Sequence, residues 1–160
     1  MRTDQSSKSR SMAWSTQCVS RAAAWRDGFS AETATGALAP EPAGAAEAVT
    51  HHALAAAKAA DAVVMVLGLS SRLEGEEMPV QIEGFKGGDR TSLDLPKVQQ
   101  ALLERVVEAA KGKPVVLVLL SGSALGVGWA DENIPAIVAA WYPGQAGGAA
   151  LADVLFGDAN

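Results

Sequence analysis

Three short, unbroken apolar runs, at residues 62–67, 114–120 and 135–140, constrain this chain more than anything else in it. Each is too short for a buried helix, and Val115, Val116 and Val118 make the second rich in β-branched residues. Such runs suit strands covered on both faces, the condition met in parallel sheets. The stretches between them have helical spacing. Ala46, Val49, Ala53, Ala56, Ala57 and Ala60 present a small-residue face, and Val98, Leu102, Val106 and Ala109 form an apolar stripe with a period near 3.6. A further helix is expected over about 145–156. Pro96 suits the first turn of the second helix, and Gly112 is its stop. The pattern predicts an α/β layered sandwich. Its mostly parallel sheet has a three-stranded core at 63–67, 115–120 and 136–140, flanked by helices on both faces.

Residues 1–46 differ in character. The start is polar and rich in Ser, Arg and Lys, residues 13–29 have the makings of a short uncapped helix, and 34–46 reads as an Ala/Gly/Pro/Glu linker. The expected division is a disordered or weakly ordered leader over 1–46 and an α/β domain over 47–160. A net charge of −5 argues against nucleic acid as a partner, because phosphate binding needs a basic face. No apolar run approaches the ~18 residues of a membrane span, and the start lacks the apolar stretch of a secretory signal. A cytoplasmic location is the default expectation. Cys18 is the single cysteine, so no intramolecular disulfide is possible.

The stretch 68–96, GLSSRLEGEEMPVQIEGFKGGDRTSLDLP, joins the first strand to the second helix. Ordered loops of that length in compact domains are usually functional. It concentrates three carboxylates within four positions, Glu74, Glu76 and Glu77. In a parallel sheet, every loop that follows a strand emerges at the same edge, where open α/β folds bind ligands. This acidic loop, Ser121-Gly122-Ser123 and Trp141-Tyr142-Pro143-Gly144 should therefore share one rim. Read from the residues alone, the glutamates are more simply a solvated acidic loop. Asp89-Arg90 is either a structural pair pinning the loop or a polar contact to a ligand. Trp129 and Trp141 are packing residues or flat apolar faces for a ligand. Neither a dinucleotide loop nor a Gly-x-Ser-x-Gly elbow is present, and the adjacent His51 and His52 point in different directions on a helix. No metal site and no cofactor are expected.

In order and spacing, several motifs resemble the C-terminal α/β domain of glycoside hydrolase family 3, the β-glucosidases and β-xylosidases. They are Gly68-Leu69-Ser70, Leu73-Glu74-Gly75-Glu76-Glu77, Gly87-Gly88-Asp89-Arg90, Leu93-Asp94-Leu95-Pro96, Ala140-Trp141-Tyr142-Pro143-Gly144 and Leu155-Phe156-Gly157-Asp158. The similarity is read from about Asp61 onward. It implies a retaining glycosidase acting on β-linked oligosaccharides or glycosides. Glu74 matches the acid/base position best, with Glu76 as runner-up, and Arg90 and Trp141 are candidate sugar contacts. It also implies a partner: the (β/α)-barrel of a complete enzyme, which supplies the nucleophile and has no counterpart here. The chain then reads as a truncated piece of an enzyme, inactive alone, whose parent is periplasmic or secreted. The alternative is a non-catalytic α/β module that binds carbohydrate or protein through the same rim.

Overall fold

The computed structural model describes residues 45–75 and 77–159, together with the backbone of 11–15 and 30–34. Five parallel strands form one sheet: β1 (Ser11–Ser15), β2 (Ser30–Ala34), β3 (Ala62–Gly68), β6 (Val115–Leu120) and β7 (Ala136–Ala139). Their spatial order is β2-β1-β3-β6-β7. Winding reverses between β1 and β3, as in doubly wound sheets, and such a reversal opens a crevice beyond the carboxyl ends of the strands. The three apolar runs are the strands expected, all parallel, with Val63 opposite Val115 and Val116 opposite Ala136.

Alternation along β3 divides its side chains between two cores. Val63, Met65 and Leu67 point to one face, with Val115, Leu117 and Leu119 of β6 beside them. Two helices cover that face, α1 (Ala45–Ala59) through Ala53, Ala56 and Ala57, and α2 (Lys97–Ala109) through Leu103 and Val106. A short helix not expected from the pattern, α3 (Gly128–Asn133), adds Ala130, and Ile134 follows it. Val64, Val66 and Val118 point the other way, against Leu151 and Leu155 of α4 (Gly147–Phe156).

Two expectations need correction. The segment read as a leader contributes β1 and β2, and β1 pairs with β3 from Met12 opposite Ala62. The core is therefore five-stranded, and residues 13–15 are strand where a helix was read. SMAWS and SAETA lack a continuous apolar run, so the signal that marked the other strands was missing; the rest of that expected helix and linker lies outside the described residues. Pro96 caps α2 from outside rather than opening it, with its carbonyl accepting from the amides of Gln99 and Gln100.

The long loop is ordered around a two-residue hairpin, β4 (Phe85–Lys86) and β5 (Asp89–Arg90). Its turn is Gly87-Gly88, with φ of 64° and 94°, the left-handed pair that a primed hairpin turn demands. A Cβ on Gly88 would sit 1.5 Å from the carbonyl oxygen of Gly75, so the hairpin closes directly onto the acidic turn. At the loop's root, the Gln99 side chain receives the Gly68 amide and donates to the Gly68 carbonyl, both at 2.8 Å.

Candidate active site

Glu74 ends a turn that begins at Ser70, whose carbonyl accepts from the amides of both Leu73 and Glu74. This aims the carboxylate across the carboxyl ends of β3 and β6. Its side chain is 9% exposed, and donors from three other segments converge on it. After β6, the Gly122 amide donates to Oε2 at 2.8 Å and the Ser123 hydroxyl donates to Oε1. After β7, the Tyr142 hydroxyl donates to Oε2. From β5, the Arg90 guanidinium lies 3.8 Å from Oε1. A carboxylate offers about four lone-pair positions, and here four partners stand around it.

Arg90 is itself fixed. It donates to Ser123 Oγ at 3.1 Å, to the Ser92 carbonyl at 2.9 Å and to the Asp94 carbonyl at 3.0 Å, and it lies over the Phe85 ring at 5.1 Å. Asp89, its neighbour along β5, is on the exposed side, so Arg90 pins the loop through Glu74. The bare backbone of Gly122 is what lets the Tyr142 ring lie this close: a Cβ there would be 2.9 Å from the ring and 3.4 Å from Glu74 Oε2.

These contacts determine the charge state. Burial alone would push the Glu74 carboxyl up. Hydrogen bonds from Ser123, Tyr142 and Gly122, with the Arg90 charge, outweigh that and hold it below the ordinary glutamate range. Burial raises the Tyr142 phenol, and the Glu74 carboxylate raises it further. The pair is a neutral phenol donating to an ionised carboxylate.

The common rim expected from strand order is present, with the acidic loop, Gly122-Ser123 and Tyr142 meeting at Glu74. Glu76 lies outside the described residues, and Glu77 is exposed. Trp141 stands on the rim, 58% exposed, with φ of 55°, an uncommon backbone for a bulky residue. Trp129 packs against the α1/α2 core. Ser123 and Tyr142 were legible only as members of the rim. Their hydroxyls donate across 49 and 68 residues of chain, which no local pattern encodes. Among the described residues, no group of three or more His, Cys, Asp or Glu is placed to hold a metal, and no helix is long and apolar enough to cross a membrane.

Sheet order, flanking helices and a polar cluster beyond the strand ends define an α/β layered domain with a polar rim. Residues 4–160 match the profile described as the Glycosyl hydrolase family 3 C-terminal domain, and the chain belongs to that family. The match starts far ahead of Asp61, where the sequence resemblance was first read, and so takes in β1 and β2. The chain is 55% identical over 107 residues to a xylan 1,4-beta-xylosidase of Xylanibacter ruminicola, a stretch covering 67% of this chain and 12% of the relative. It is 48% identical over 108 residues to beta-D-xylosidase 1 of Arabidopsis thaliana, covering 66% and 12%. The crystal structure of a beta-glucosidase from Bifidobacterium adolescentis superposes with a TM-score of 0.65 at 38% identity, over 81% of this chain and 17% of that one. The chain thus spans a small part of the length of each.

Proposed function

We propose that this chain is the part of a retaining β-glycosidase that brings the acid/base carboxylate to a sugar held on a separate barrel domain. β-Linked xylosides are the proposed substrates, with β-glucosides the neighbouring class. The observation that carries this reading is the carboxylate itself, set on the loop after β3 at the ligand-binding edge of the sheet and surrounded by aimed donors. The names of the relatives support the substrate class.

A retaining mechanism uses two carboxyl groups about 5–5.5 Å apart, one as nucleophile and one as acid/base. The acid/base first protonates the leaving oxygen, then takes a proton from water. Glu74, held ionised, is in the state the second step requires. To serve the first it must gain a proton against three hydrogen bonds and the Arg90 charge, all of which favour the ionised form. A second reading is favoured by that hold: Glu74 anchors the loop, and Glu76, two residues on, carries the proton. Trp141, exposed on the rim, is assigned to stacking on a pyranose ring, and the contacts of Arg90 support a role in holding the loop.

The test is to combine the chain with a separately made family 3 barrel and assay aryl β-xylosides. The chain alone should be inactive, because the acid/base cannot replace the nucleophile. In the reconstituted enzyme, the acid/base glutamate changed to Gln should cost about 10²–10⁴-fold, most for poor leaving groups. Turnover by the chain alone that a Glu74 substitution abolishes would contradict the proposal. Reconstituted activity indifferent to both Glu74→Gln and Glu76→Gln would leave the non-catalytic binding module as the better reading.

A further inference from the structure

The four partners of Glu74 are not equivalent. The two bonds at Oε2 lie on the exposed side, whereas the Ser123 bond at Oε1 is partly buried. Gly122 donates from the backbone directly after β6 and cannot leave without moving the strand end. Ser123 is held from its other side by Arg90, whose side chain is 10% exposed and tied to two backbone carbonyls. Tyr142 differs from all of these. It is 40% exposed, follows the positive-φ Trp141, and lays its ring over the bare backbone of Gly122. It is the most exposed side chain in the cluster.

We propose that Tyr142 is a displaceable cap on Glu74, filling a solvent-side position on Oε2 until a sugar hydroxyl or glycosidic oxygen takes its place. The proposal rests on the rim being a sugar site, and it names the residue that controls access to the carboxylate. The replacement is chemically like for like, an alcohol for a phenol donating to the same oxygen. A sugar hydroxyl is also a weaker acid than the phenol, so the exchange releases part of the hold that keeps Glu74 ionised. Tyr142 acts through Glu74, as a positioning residue. It serves whether Glu74 itself transfers the proton or anchors the loop that does.

Tyr142 is the chain's single tyrosine, so one ¹³Cζ resonance reports on it without assignment. In the intact chain, that signal should step as pH falls, with a midpoint below the ordinary glutamate value of about 4.3, as Glu74 gains its proton. Glu74→Gln should abolish the step, and Ser123→Ala should move it upward while Ser123→Thr restores it. With the chain labelled at its tyrosine and combined with an unlabelled family 3 barrel, adding methyl β-xyloside at neutral pH should shift the Cζ signal toward its position in Glu74→Gln. Far-UV circular dichroism of each variant separates these effects from loss of fold. A Cζ signal unaffected by Glu74→Gln in folded protein would overturn the contact, and one unmoved by xyloside that the complex binds would overturn the displacement. Neither depends on turnover, so failure of the reconstituted assay would count against the proposed function and leave the cap standing.

Discussion

The sheet and its rim lie a few residues apart along the chain, yet they are held by different physics. In β3 and β6, Val63, Met65, Leu117 and Val118 are almost wholly shielded from water, and what fixes them is apolar area packed between layers of helix. At the rim, one carboxylate gathers an amide, two hydroxyls and a guanidinium from segments far apart in the chain. Apolar packing is non-directional and tolerant, whereas a polar cluster needs each donor within hydrogen-bond reach of its acceptor. The sheet should therefore govern whether the chain folds, and the rim what the folded chain can do.

The sharpest break between them is a cavity in the sheet. Leu117→Ala, in the centre of β6 and fully buried, should cost about 2–5 kcal/mol by urea unfolding. Gly88→Ala attacks the joint between the two regions. With φ at 94° and the Gly75 carbonyl in the way, the hairpin must shift, and strain of this kind costs on the order of 1–3 kcal/mol. Its signature should be faster amide exchange at Met78 and Gly87, which the hairpin ties to the acidic turn, with the sheet amides unchanged.

The same contrast explains which parts of the fold and site are legible in the sequence. Residues 63–67 and 115–120 announce themselves because burial on two faces selects continuous apolar runs, a local and redundant signal, whereas 136–140 carries such a run on an edge strand that is exposed or only half-buried. β1 and β2 stayed hidden because SMAWS and SAETA join the sheet by backbone pairing without such a run. For the site, the parallel order of strands predicts which loops share an edge. It does not say that the Tyr142 hydroxyl, rather than Trp141 beside it, turns toward Glu74. Nor does it settle the balance of charge. In sequence, Glu76 and Glu77 beside Glu74 would raise its carboxyl while Arg72 and Arg90 would lower it, and the donors delivered from β5, β6 and β7 decide for the lower side.

A smaller effect should fade in acid. The folded-state value of Glu74 is depressed, so the stability it confers is complete above the ordinary glutamate value. That stability drains away as pH falls through the lower, folded value. Melting temperatures of the parent and Glu74→Gln should therefore differ most near neutrality and converge toward pH 2; a gap that widens in acid would invert the sign. The smallest effect belongs to Trp141→Gly. That position is exposed and already has a backbone suited to glycine, so stability should change by no more than about 0.5 kcal/mol. Activity in a reconstituted enzyme should still fall if its ring stacks on sugar.

The central claim, that the loop after β3 carries the acid/base carboxylate, is tested most directly by azide. Azide attacks a glycosyl-enzyme without help from a base, so it bypasses a missing acid/base and no other defect. In the chain reconstituted with its barrel and given an activated aryl β-xyloside, added azide should restore turnover to Glu74→Ala or to Glu76→Ala. The product should be the β-glycosyl azide, and which variant responds fixes the residue. Rescue of neither, in a complex whose parent form is active, would contradict the claim and leave the glutamates a structural loop.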